Sequence, residues 1–230
     1  MKKKEKIFLI GAGETAHLAY EYFTHDSFYE VCGFAVEIKY LDKSEFLGLP
    51  VVPFEECETY FPPKEYKVFV AIISTNLNTA RTRMFNLAKE KGYQFASYIS
   101  SGASVWHNVA IGDNCFILSG NVLQPFVKIG DNVILWGGNY IGHRSIIGDN
   151  CFLAGHVIIA GLTKIGKNCF LGINSSISDT LEIGEDCFIA MAAVVTKSTE
   201  ADSVYVGNPA KKSPISAKTY GEYRDFKPKF

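Results

Sequence analysis

Two stretches of the chain hold residues whose types and spacing could do chemistry. One is Asn139-Tyr140-Ile141-Gly142-His143. An imidazole titrates near neutral pH, so His143 could take and return a proton. The other is Gly11-Ala12-Gly13-Glu14-Thr15-Ala16, directly after the apolar run Lys6–Ile10. A G-x-G-x-x-A pattern between a strand and a helix lets backbone approach an anion at the helix start. His107 and His156 are further imidazoles in the same half of the chain as His143. What any of them can do depends on the elements that aim them.

A fixed repeat governs those elements. Every sixth residue from Ile99 to Val195 is aliphatic, without exception. Ile-Gly recurs at Ile111, Ile129, Ile147, Ile165 and Ile183, on every third beat of the six. Such a repeat sets the architecture before any local reading. Six-residue periodicity fits neither a helix nor an alternating strand. It predicts a triangular coil, three beats to the turn, with one aliphatic residue per side pointing to the axis. The next residue is often Gly or Ala, and the fourth is usually small. Turns stacked ~4.8 Å apart give a prism roughly 25 Å tall. His143 stands two residues after the inward Ile141, so it projects at a corner; on its own this could equally be a solvated histidine. His107 shares that column two turns back, roughly 9.6 Å away, too far for a shared proton. His156 lies on the adjoining side. Asn139 could contact a ligand or be a stacked corner amide.

The first half reads differently. Lys6–Ile10 predicts a strand, Glu14–Phe23 a helix, Tyr29–Ala35 a second strand, Lys67–Ile73 a third and Thr79–Lys91 another helix. Leu49–Pro53 reads as a bent edge segment. This is a small Rossmann-like unit. Gly11, Gly13, Glu14 and Glu37, which follows the second strand, are candidates for a nucleotide-bearing ligand. Glu14 would repel a pyrophosphate at the helix start, which argues against NAD. Ser74, Asn76 and Arg81 follow the third strand, where ligands of open α/β sheets gather. The predicted organisation is 1–97 Rossmann-like, 98–211 coil and 212–230 tail, an α/β front followed by a parallel β-helix. The tail suggests packing on the coil or on another copy, and no chemistry.

Composition narrows the classes. The chain has 230 residues, 47% of them hydrophobic, and a net charge of −1. That balance gives no case for nucleic acid or an anionic membrane. No segment reads as a bilayer span. Cys115, Cys151, Cys169 and Cys187 occupy one repeat position and read as small inward residues. Cys32 and Cys57 lack metal-ligand spacing, so reduced cytoplasmic thiols and no metal are expected.

The hexapeptide beat, with Val206-Gly207-Asn208-Pro209-Ala210-Lys211 at its end and the Rossmann-like front, resembles the left-handed β-helix sugar O-/N-acyltransferases of the sialic-acid O-acetyltransferase and bacillosamine N-acetyltransferase type. The resemblance covers about Lys6–Lys211, and left-handedness is taken from it. It implies a homotrimer using acetyl-CoA, with a nucleotide-linked amino sugar as acceptor. It implies that His143 is the general base and that the Gly161 N–H, one turn on, is an oxyanion donor or pantetheine contact. Ile173, Asn174 and Ala192 would follow the CoA arm, and Lys197 and Pro209 its nucleotide end. Asn139 and His156 would face the acceptor. The chain departs from the pattern twice: Arg144 follows the histidine where an acidic residue is common, and Trp136 stands where Asn is common. O-acetylation of a sugar or sialic acid, a zinc hydratase on the same prism and a non-catalytic nucleotide-binding scaffold are the alternatives. Five residues past His143 is Gly148, not the histidine a zinc site would want.

Overall fold

The computed structural model describes residues 5–225. The front is a five-stranded sheet built from β1 (Glu5–Ile10), β2 (Tyr29–Val36), β3 (Glu45–Phe46), β4 (Leu49–Pro53) and β5 (Tyr66–Val70), in the order β3-β4-β2-β1-β5. All pairings are parallel except the β3–β4 hairpin. Helices α1 (Glu14–His25), short α2 (Cys57–Tyr60) and α3 (Thr79–Glu90) accompany it. The third strand is shorter than the apolar run predicts. It ends at Val70, and 71–78 becomes a connecting segment.

From Tyr98 the chain winds as a parallel β-helix. Two-residue strands recur on the six-residue beat. Each pairs with the third strand before it and the third after it, as Ile146 does with Lys128 and Lys164. The second residue of each strand points to the axis, forming one core with Cys115, Cys151, Cys169 and Cys187. Ile99 alone among the inward series is notably open, at 41% exposure, because it sits on the first, half-built turn.

The first residue of each strand faces outward, and its chemistry differs by side. Side one carries Phe116, Ile134, Phe152, Phe170 and Phe188. Side two carries Val122, Tyr140, Ile158, Ser176 and Val194. Side three carries Lys128, Ile146, Lys164 and Glu182. The first turns of side one are covered within the chain. Phe116, Ile134 and Phe152 join Phe23, Phe34 and Phe69 of the front in a single core. Burying each such ring stabilises by about 1.5–3 kcal/mol relative to exposure.

The corner between sides three and one holds an amide ladder. Asn114, Asn132, Asn150 and Asn168 sit in the left-handed backbone region, which Asn tolerates through local hydrogen bonding. Each donates through Nδ2 to the next side-chain oxygen at 2.8–3.0 Å, ending on Asp186. Val70 N–H donates to Asn114 Oδ1 at 2.7 Å, so β5 is tied to the ladder's first rung. After the coil, helix α4 (Ala217–Asp225) folds back onto Phe188 and Val204.

Candidate active site

His143 sits at the corner between sides two and three, exposed to solvent. Its backbone N–H donates to Gln124 Oε1 at 3.0 Å. The ring lies over Gly161, one turn on: a Cβ built there would stand 2.5 Å from His143 Cε1 and 2.8 Å from Nδ1. Glycine is therefore required at 161 to seat the imidazole. Among the described residues nothing accepts a hydrogen bond from the Gly161 N–H. A proton acceptor and a vacant donor thus share one edge, the pair that attack on a thioester carbonyl needs. His143 has no ion-pair partner among the described residues. Arg144 turns away, its guanidinium 4.4 Å from the centre of the Phe126 ring on the preceding turn. The ring is held by its glycine seat rather than by a carboxylate.

His156 has a parallel setting on the corner between sides one and two. Its ring covers Gly138, where a Cβ would lie 2.7 Å from both Cε1 and Nδ1. The corner borders a trough of about 990 Å³ along side one, floored by Phe152 and Phe170 and bounded by Ile73, Ser74, Trp136 and Tyr220. Phe152, Phe170 and Phe188 stack in parallel, with centroids 5.1 and 4.7 Å apart. The indole Nε1 of Trp136 is buried and has no hydrogen-bond partner among the described residues. A large apolar recess with a few polar groups is the usual form of a small-molecule site.

The repeat splits the residues expected to follow CoA. Gly161 and Lys197 share the His143 corner, one and three turns on. Ile173, Asn174 and Ala192 stand instead on the His156 corner, so they do not continue the His143–Gly161 column. Ile173 borders the trough, and Asn174 N–H bonds to Gly155 O and Ala192 N–H to Ile173 O in that second column. The reason is arithmetic: a corner follows every beat of the repeat, and only every third corner returns to the same edge. Pro209 lies exposed beyond the last turn. One chain therefore carries the imidazole and the trough a full side of the coil apart.

In the front, the G-x-G loop borders a separate crevice of about 470 Å³, lined by Ala12, Gly13, Lys39, Tyr40 and Lys43. Gly11 has φ +117° and its Cβ would meet Ala71 O at 2.9 Å, so glycine is obligatory there. Gly13 caps α1 and faces open space. Lys43 Nζ donates to Ala12 O at 3.0 Å. Lys39 also pairs with Glu37 Oε2 at 3.6 Å; sequence reading passed over both lysines because they follow no motif.

Three expected ligand contacts are occupied elsewhere. Glu37 is held by Arg83 in a two-point pair at 2.9 and 2.6 Å, which keeps its carboxyl below the usual range. Arg81 is fully buried, and its Nη2 donates to the carbonyls of Asn132, Asn150 and Cys151 at 3.0–3.3 Å. It fastens α3 to the coil, and burial lowers its pKa to about 10. Asn139 is also buried, donating to Trp136 O and accepting from Val157 N–H, so it is the corner amide. Asn76 faces the outer groove beside α3, not the trough. Ser74 does border the trough.

Residues 126–161 match the bacterial transferase hexapeptide model, and residues 162–197 match the hexapeptide repeat of succinyl-transferase. The coil is a hexapeptide-repeat coil. Comparison with curated proteins gives no match. Among solved structures, a mutant perosamine N-acetyltransferase from Caulobacter crescentus, in complex with CoA and GDP-perosamine, superposes with a TM-score of 0.81 at 22% identity, covering 90% of this chain and 96% of that one. The acetyltransferase domain of PglB from Neisseria gonorrhoeae gives 0.81 at 21%, covering 91% and 100%. WeeI from Acinetobacter baumannii gives 0.69 at 23%, covering 91% and 100%. At these identities the likeness establishes the fold: a Rossmann-like front followed by a hexapeptide-repeat coil. Among the described residues no helix is long and apolar enough to cross a membrane.

Proposed function

We propose that the protein is an acetyl-CoA-dependent N-acetyltransferase acting on a nucleotide-linked amino sugar. The observation that carries the reading is the His143 imidazole seated over Gly161, beside a backbone N–H without an acceptor. In the proposed reaction His143 takes a proton from the acceptor amine as its nitrogen attacks the thioester carbon. The Gly161 N–H donates to the oxyanion. The C–N bond forms, the C–S bond breaks, and the proton passes to the departing CoA sulfur. The nucleotide would rest in the crevice at Gly13, Lys39 and Lys43, and the sugar would reach toward Ser74 and His156.

The separation of His143 from the trough supports a site completed by another copy of the chain, as in the expected homotrimer. Side two supports this too. Its outward Val122 and Ile158, together with Trp106 and Leu162 at its edge, are 37–52% exposed. Charged side three suits water instead. Solved relatives in complex with CoA and GDP-perosamine fit the same reading.

The test is a screen of UDP-, GDP- and dTDP-linked amino sugars and their hydroxyl counterparts with acetyl-CoA, reading thiol release, alongside sedimentation for the assembly state. Release with an amino sugar and a trimer are expected. Release only with hydroxyl acceptors would convert the reading to O-transfer, and release with none would remove the enzyme.

A further inference from the structure

Helix α4, in the segment read from sequence as carrying no chemistry, contributes to one wall of the trough. Tyr220 of α4 lines it, with its ring centroid 4.7 Å from that of Phe188. Ser74, four residues past β5 and 5% exposed, lines the same trough. The turn that follows Ser74 is unusual. Asn76, Leu77 and Asn78 have φ of 46°, 48° and 68°, three successive non-glycine residues in the left-handed region. L-residues avoid that region as a run, so surrounding contacts must impose it.

Those contacts come from the coil and from α4. Leu77 is 4% exposed and is packed with Phe188, Val204 and Ala217. Asn78 stands at the N-cap of α3, yet its side chain caps nothing there. It donates instead to the carbonyls of Asn168 and Cys169 at 3.4 and 3.3 Å. Gly221 presses on the turn: a Cβ there would meet both Leu77 Cβ and Leu77 N at 3.3 Å. Helix α4 is itself anchored. Asp202 Oδ1 accepts from Lys218 N–H at 3.0 Å, and Lys218 Nζ pairs with Asp186, the end of the amide ladder, at 3.2 Å.

We propose that α4 is a specificity element of the acceptor site: Tyr220 walls the trough, and Gly221 lets the helix clamp the 76–78 turn so that Ser74 is held at the trough's edge. The proposal rests on the transferase reading above. Ser74 belongs to the acceptor end because it follows a strand of the same parallel sheet whose strand ends form the Gly13 crevice, where ligands of such sheets gather. Gly221 and Leu77 are positioning residues, acting through the turn.

The experiment compares the full-length protein with Gly221→Val, Tyr220→Ala and Tyr220→Phe. Acceptor and acetyl-CoA kinetics are measured separately, with hydrogen exchange of residues 73–79. Gly221→Val is expected to raise acceptor KM about tenfold and leave acetyl-CoA KM within about twofold, because uniform binding of one substrate alone is lost. Exchange at 73–79 should rise while the coil core stays protected. Tyr220→Ala should raise acceptor KM less, and Tyr220→Phe should restore it. Equal changes in both KM values, or unchanged acceptor KM, would overturn the proposal. If the wild type turns over no acceptor, the transferase reading fails, and exchange decides the clamp: unchanged exchange at 73–79 in Gly221→Val overturns it.

Discussion

The two glycine-seated histidines occupy corners of one coil, yet their surroundings differ. His143 rests on Gly161 at an open edge bordered by Arg144 and Phe126. His156 rests on Gly138 beside a recess that the front and α4 wall in. His143 covers a glycine of the following turn, and His156, itself at φ 59°, covers one of the preceding turn. The second corner borders a ligand-sized apolar recess, whereas the first has the Gly161 seat, whose N–H finds no acceptor among the described residues. A repeat can therefore present identical side chains in different surroundings, decided by what packs against each edge.

The sharpest way to break this comparison is to remove each ring. His143→Ala is expected to lower kcat by ~10²-fold or more, the range for a general base, with the assembly intact by sedimentation. Unchanged turnover would move the base elsewhere, His156 first. Steady-state kinetics of His156→Ala should show about a tenfold effect, mainly in acceptor KM, as for a group that binds rather than transfers protons.

Filling the seats sharpens it further. Gly161→Ala places a methyl where the His143 ring stands and should cost about tenfold in kcat while circular dichroism and melting stay near wild type. The ring is exposed and can swing aside, so the usual overpacking cost of about 1–3 kcal/mol is largely avoided.

The crevice gives a binding readout. Gly13→Val enters open space, so by calorimetry it should weaken nucleotide-sugar binding about tenfold by occupying contact volume, and leave CoA binding alone. Equal loss of both would place the nucleotide elsewhere.

The smallest expected effect concerns the junction between front and coil. Asp26 Oδ2 accepts from Tyr98 Oη at 2.6 Å and from Ser101 N–H at 2.9 Å, and the Tyr98 bond chiefly holds its pKa below 3.8. Because the folded value is depressed, its contribution is complete above the ordinary carboxylate value. That contribution disappears as pH falls through the lower folded value. Asp26→Asn should therefore narrow the stability gap between neutral pH and pH below the ordinary carboxylate value, measured by urea titration at both.

The six-residue beat made the coil legible because a fixed period turns sequence position directly into edge and rung. It placed Ile141 inward, His143 outward and Gly161 beneath it. The same arithmetic, carried to Ile173 and Ala192, would have put them on the second corner. The outward column Phe116, Phe152, Phe170 and Phe188 also signals a covered side, since stacked exposed rings would be costly. In the front, the strand and glycine pattern located β1 and α1, and of the lining expected beyond them only Gly13 borders the crevice.

Spacing had no access to contacts made once only. Arg81 reads as a ligand contact by position, yet it is consumed by three coil carbonyls. Glu37 follows β2 as a ribose partner would, and Arg83 from α3 takes it. Leu77 and Tyr220 carry no local signal at all; their roles arise where α4 returns to the coil. Sequence alone determined the repeat, the edges and the candidate imidazole, because each follows from neighbours at fixed intervals. Tertiary packing decided which polar groups remained open to a ligand, because burial and hydrogen bonding between distant segments have no period.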